Sequence, residues 1–263
     1  NKDKIVILFH GLEGDSKRTY LNSCSDYFFD RGFNVLAWNH RSCGGEMNNT
    51  YRLYHHGVTD DIERIVNKSI EEEYERIYLI GYSMGGALIL NYLGNHQINS
   101  KIKGAVSFSA PISLKSSADT LKKFPNTVYF KNFKRTLVPK FKEKAKQFPG
   151  FLNEEMIDKI KTFDEIDEYF TAAIHGYSSK EDYYHKASPT TVLDNIKTPC
   201  LIVNAANDPF LGKDCYPIDR FKNHEFCHFE MPKYGGHCGF PLENNSHSWA
   251  EIRAWEFVEN LNK

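Results

Sequence analysis

The sequence predicts an α/β fold in three layers: a mostly parallel central sheet flanked by helices, with one helical insertion. Three observations carry that expectation. Short apolar runs recur along the 263-residue chain, with helical stretches between them. Each run is nearly continuous in apolar character, as strands buried on both faces of a parallel sheet require. A glycine-flanked serine stands where one such run passes directly into a helix.

The runs are Ile5–Phe9, Asn34–Trp38, Ile77–Ile80, Gly104–Phe108, Cys200–Asn204 and Phe226–Met231. Thr19–Asp30 reads as a helix that Gly32 punctuates. Thr59 is the expected N-cap of a helix reaching about Tyr74, with Asp60 and Asp61 in its favourable first turn. Met84–Leu93 follows the serine, and Gly94 can end it. Ser248–Leu261 carries Trp249, Ile252, Trp255, Phe257 and Val258 at roughly helical spacing, so an amphipathic helix closes the chain. From about Pro111 to Pro189 the rhythm breaks. That stretch is rich in Lys, Phe and Glu, with helical periodicity over Glu154–Ala173. The expected organisation is therefore a core of residues 1–110 and 190–263, with residues 111–189 as a helical cap over one sheet edge. Its aromatic residues, Phe133 and Phe141 among them, are expected mostly in the cap's own core.

Composition excludes several classes of partner. The formal net charge is −1, which gives no electrostatic case for nucleic acid or an anionic membrane surface. No apolar run is long enough for a transmembrane segment, which needs ~18 residues or more. Six cysteines occur without a C-x-x-C pair, in a chain too large to need disulfide staples. Reduced thiols and a cytoplasmic location are the expectation. The chain opens at Asn1 rather than Met and enters a strand at Ile5, so residues upstream are expected to be missing, and a targeting segment among them would not be visible. His55-His56 suggests a metal pair only weakly, because no carboxylate or Cys stands at ligand spacing. They are read as loop or surface residues. No cofactor or metal is expected, and nothing specifies an oligomeric state.

The chemistry gathers around Gly81-Tyr82-Ser83-Met84-Gly85. Ile77–Ile80 enters this turn and Ala87–Leu90 leaves it as a helix, which is the strand–turn–helix context a nucleophile elbow requires. Ser83 then lies at a helix N-terminus, where free N–H groups favour developing negative charge. Serine needs a base and an orienting acid, and chain order ranks the candidates. Asp208 falls on the loop after the Cys200–Asn204 strand, where catalytic groups of open α/β sheets collect, with Asp214 and Asp219 as fallbacks. His237, flanked by glycines after the last strand, is the expected base; His224, His228 and His247 lie before, within or beyond that strand. It would take the Ser83 proton while Asp208 holds its tautomer. The oxyanion donors are expected from the N–H groups of Met84, which follows the nucleophile, and Leu12, in His10-Gly11-Leu12-Glu13-Gly14. His10 itself reads as a structural loop residue.

These segments together resemble the YheT-type family of α/β-hydrolases, which takes in the ABHD-type lipid hydrolases. The resemblance rests on His10–Gly14, Asn39-His40-Arg41-Ser42-Cys43-Gly44-Gly45, Gly81–Gly86, Asn207-Asp208-Pro209-Phe210 and Gly235-Gly236-His237-Cys238-Gly239-Phe240. It extends through Phe163-Asp164-Glu165, Gly176-Tyr177 and Asp182-Tyr183-Tyr184, in the right order. Ser42 stands where that family usually has Gly, and the strands that usually precede the Ile5–Phe9 segment are absent. The resemblance implies the α/β-hydrolase fold and hydrolysis of a small-molecule carboxylic ester, of short or medium acyl chains or of lipids. Two other readings use the same residues: acyl transfer to an alcohol or thiol, and a non-catalytic binding protein on this fold.

Overall fold

In the computed structural model, which describes residues 2–263, six strands form one wholly parallel sheet. They are β1 (Lys4–Phe9), β2 (Asn34–Trp38), β3 (Arg76–Tyr82), β4 (Ile102–Phe108), β5 (Cys200–Val203) and β6 (Cys227–Glu230). Their order is β2-β1-β3-β4-β5-β6, so the chain reverses its direction of travel between β1 and β3. Loops after those two neighbouring strands diverge at their carboxyl ends and leave a crevice there, the usual ligand position in an open α/β sheet.

Alternate residues of each strand feed two cores, as a two-residue period demands. Ile5, Ile7, Ile77 and Leu79 pack on one face against α2 (Asp60–Glu71) and α3 (Met84–Asn95). Val6, Leu8, Tyr78 and Ile80 pack on the other against α1 (Thr19–Phe29) and the last helix, Trp249–Asn260. Most of these side chains are wholly buried, each contributing about 2 kcal/mol relative to exposure. The helix begun by Asp60 has the expected acidic first turn, but Thr59 does not cap it. Thr59 sits in helical backbone geometry, and its hydroxyl instead meets His96 Nε2 at 2.7 Å.

Between β4 and β5 the chain is helical: α4 (Leu114–Leu121), α5 (Thr127–Gln147), α6 (Glu154–Ile157), α7 (Phe163–Ile166), α8 (Ala173–His175) and α9 (Lys180–Ala187). The Glu154–Ala173 stretch is not one helix. Thr162 and Glu165 form a capping box that starts α7 afresh, and a π-turn over Asp167–Ala172 joins it to α8. Two more helices follow β5, the short α10 (Ile218–Phe221) and the three-turn α11 (Trp249–Asn260), the latter opened by a Ser248–Glu251 capping box. The aromatic residues of this region divide. Phe130, Phe141, Phe163 and Phe170 are buried, whereas Phe124 is 88% exposed. No helix among the described residues is long and apolar enough to cross a membrane.

Candidate active site

β3 delivers Ser83 to the crevice in a strained turn, with φ 55° and ψ −119°. The flanking glycines are required by close approach. A Cβ on Gly81 would lie 2.5 Å from the Gly85 carbonyl carbon, and one on Gly85 would lie 2.4 Å from the Phe9 carbonyl oxygen. Only backbone without side chains lets strand, turn and helix meet at this distance. Ser83 N–H donates to Phe108 O at 2.8 Å, fixing the turn to the neighbouring strand β4.

The structure brings the three predicted side chains together. His237 Nε2 lies 2.9 Å from Ser83 Oγ. Its Nδ1 lies 2.9 Å from Asp208 Oδ2 and 3.1 Å from Oδ1. The Asp208 side chain is fully buried and accepts a further bond from Phe210 N–H at 2.9 Å. Asn207, the preceding residue, holds the other end of the pair. Its Oδ1 accepts from both Gly235 N–H and Gly236 N–H at 2.9 Å, which anchors the loop that carries His237. Ser109 Oγ receives Cys238 N–H at 3.2 Å and anchors the far side. Burial favours the neutral ring of His237. Its interactions with Cys238 and Asp208 outweigh that burial, and the group lies above the ordinary histidine range. Asp214 and Asp219, the fallback acids, serve elsewhere: Asp214 N–H bonds Ser116 Oγ, and Asp219 pairs with Lys222.

The loop after β1 lies directly on Ser83, since a Cβ on Gly11 would come within 3.0 Å of Ser83 Cβ. Its N–H groups can be counted. Gly11 donates to Tyr20 Oη, Glu13 to Tyr54 Oη and Gly14 to Gly11 O. Leu12 N–H has no acceptor among the described residues. Met84 N–H, first in α3, likewise has no acceptor within the helix. The two donors expected at an oxyanion, Leu12 N–H and Met84 N–H, are both free of a protein acceptor. His10 is a buried brace beneath this loop. Its Nδ1–H donates to Gly11 O at 2.7 Å, its Nε2 accepts His40 N–H at 3.2 Å, and burial drives it down to about 4.

Several contributors had no visible sequence signal. Glu13 has a left-handed φ of 56°, and its carboxylate takes a hydrogen bond from Tyr54 and an ion pair from Lys140 at 2.7 Å. This ties α5 to the loop carrying Leu12. Phe210 stacks on the His237 ring, centroids 4.0 Å apart at 16°, and Tyr129 packs behind it at 4.5 Å. His55 and His56 occupy a loop as expected, but His55 is buried rather than exposed, and both line the site. No group of residues suited to a metal ion occurs among the described residues. All six cysteines are free.

A cavity of about 120 Å³ opens from Ser83 and His237. Its walls are mainly apolar, with Leu12, Leu53, Leu114, Phe133, Leu137 and Phe141 among them. The arrangement can activate a hydroxyl, hold an oxyanion and shelter an apolar chain. Residues 1–214 match the family described as serine aminopeptidase, S33. YheT of Escherichia coli (strain K12) is 29% identical over 89% of this chain and 70% of its own length. Phospholipase ABHD3 of Mus musculus is 30% identical over 89% of this chain and 58% of its own. This chain therefore spans only part of each relative. The solved esterase Pf2001 of Pyrococcus furiosus shares the fold, with a TM-score of 0.62 at 18% identity over 98% of this chain and 82% of that one.

Proposed function

The chain belongs to the serine aminopeptidase, S33 family and is an esterase/lipase-type α/β-hydrolase with YheT-like and ABHD-like relatives; within it, we propose a serine carboxylesterase that works through an acyl-enzyme on Ser83. The observation that carries this reading is the unbroken line from Ser83 Oγ through His237 to Asp208, opening on an apolar cavity.

In this mechanism Ser83 Oγ attacks the ester carbonyl carbon and passes its proton to His237 Nε2. Asp208 stabilises the imidazolium, and the N–H groups of Leu12 and Met84 receive the oxyanion. The C–O bond to the alcohol then breaks, and His237 returns the proton to the departing alkoxide. Water repeats the cycle on the acyl-enzyme, releasing the acid and restoring Ser83. Residues 1–110 and 190–263 form the catalytic core in this reading, and residues 111–189 cap it, supplying Phe133, Leu137 and Phe141 to the acyl pocket. The substrate is an ester of a short or medium acyl chain or of a lipid, consistent with a relative that is a phospholipase. The six free thiols fit a reducing, cytoplasmic setting.

A panel of p-nitrophenyl esters of increasing chain length tests the reading. Wild type should turn over a subset of them, and Ser83→Ala should lose nearly all of that rate. Turnover that survives Ser83→Ala at wild-type level refutes it. Acid release that gives way to ester exchange at low concentrations of added alcohol would assign acyl transfer instead.

A further inference from the structure

The cavity beside Ser83 is not apolar throughout. Its wall also carries His55, Asp167, Thr171, His175, Tyr183 and Tyr184. None of these makes a hydrogen bond to the Ser83–His237–Asp208 line, so the proposed mechanism does not use them.

Proton counting shows what this wall offers. Tyr184 has one hydroxyl proton, yet its Oη lies 2.9 Å from Asp167 Oδ2 and 3.1 Å from Asp164 Oδ1. Asp164 is an ionised partner, because Lys122 and Lys180 both pair with its Oδ2. The Tyr184 proton therefore goes to Asp164. The second contact is satisfied when Asp167 keeps its own proton and donates it to Tyr184 Oη. Burial favours that neutral carboxyl and pushes Asp167 up to about 7. The Thr171 hydroxyl donates to Asp167 Oδ1 at 2.9 Å. Asp167 and Thr171 both belong to the π-turn, a distortion that often marks functional positions.

His55 yields to the same accounting. Its Nδ1 accepts Gly57 N–H at 3.0 Å, which puts its proton on Nε2. Burial, with His175 at 4.1 Å ring to ring, keeps it uncharged. His55 is only 5% exposed, its Nε2–H has no acceptor among the described residues, and the atom is not fully enclosed, so it opens on the cavity it lines. A donor open on a cavity wall is left unpaired by a purely hydrocarbon occupant and favours one that accepts from it.

The wall thus presents an unpaired donor and uncharged oxygen acceptors inside a cavity that is otherwise suited to a hydrocarbon chain. A methyl terminus leaves His55 Nε2–H unpaired. A carboxylate terminus would give up its hydration for the single N–H of an uncharged His55. A hydroxyl accepts from His55 and donates to an oxygen of the wall without bringing charge. Resting on the ester-hydrolase reading above, we infer that this cavity selects esters whose acyl chain carries an uncharged hydroxyl group, recognised by His55 and the Asp167–Thr171 pair.

The test uses paired p-nitrophenyl esters of matched length, one chain ending in methyl and the other in a primary hydroxyl. At the best-fitting length, wild type should favour the hydroxyl ester in kcat/KM by about tenfold or more. His55→Phe, and separately the smaller change Thr171→Val, should each collapse that ratio toward unity. Each variant supplies its own methyl-ester reference, so a general loss of activity does not imitate the result. If His55→Phe does not fold, Thr171→Val still decides. Methyl esters cleaved with no hydroxyl preference at any length would overturn the inference while leaving the esterase reading intact. A preference that survives both variants would overturn it too. Failure to cleave either series would instead sink the parent reading.

Discussion

Asp208→Asn perturbs the electrostatics of the site with the least change in shape. The carboxylate is fully buried, meets His237 Nδ1 with both oxygens and is held by Phe210 N–H. An amide keeps the volume and can keep the Phe210 bond on its oxygen. Its NH2 group then faces Nδ1 and makes that nitrogen an acceptor. The ring proton moves to Nε2 and points at Ser83 Oγ, where a proton acceptor is needed. A loss of about four orders of magnitude in kcat is expected from such a tautomer change. The pH profile gives a second reading with a defined sign. His237 acts as base only when neutral, so activity is present above its pKa and is lost as pH falls through it. In wild type that limb should lie above the ordinary histidine range, because the interactions of the ring with Cys238 and Asp208 outweigh burial. A unit charge about 4 Å away at an effective dielectric near 20 is worth about 4 kcal/mol, or about 3 pH units. Burial of the ring opposes this, so removing the Asp208 charge should move the limb down by about 1–3 units. Initial rates on a p-nitrophenyl ester from acid to alkaline pH measure both effects. An Asn variant with near-wild-type kcat, or with its limb shifted upward, would refute the reasoning.

Three further outcomes follow from the same geometry. Gly85→Ala drives a Cβ to 2.4 Å from backbone at Phe9, so about 3 kcal/mol should be lost in a urea titration; an unchanged midpoint contradicts the packing described. Lys140→Met leaves the Glu13 carboxylate without its cation beside the oxyanion loop, and should cost roughly 2–4 kcal/mol together with a fall in kcat. Adding Glu13→Gln should recover part of that stability, whereas strictly additive losses would show that the pair is uncoupled. Phe210→Ala removes the ring stacked on His237 at 4.0 Å and should lower kcat on the order of tenfold to a hundredfold, with less effect on KM; equal kcat in variant and wild type would exclude the stack as a positioning contact.

Most of the sheet was legible because its central strands are largely apolar runs, and Ser83 because a close-packed elbow admits only glycine at Gly81 and Gly85. Asp208 and His237 could be ranked from chain order, since parallel strands carry their loops to one edge. Lys140 could not be found that way. It meets Glu13 across 127 positions of sequence, and an amphipathic Lys-rich helix gives no sign of which lysine turns inward. Thr59 shows the same limit in miniature, because a cap residue with a nearer partner in His96 abandons the cap. His55 read as an unremarkable loop residue, yet burial follows from what α8 and α9 bring against it, which no local pattern contains.

Covalent capture tests the central claim most directly. Wild-type protein treated with a fluorophosphonate should gain the mass of one phosphonyl group, and peptide mapping should place it on Ser83. Asp208→Asn should label far more slowly, and Ser83→Ala not at all. An adduct on any other residue, or labelling that persists in Ser83→Ala, would contradict the account of Ser83 as the nucleophile.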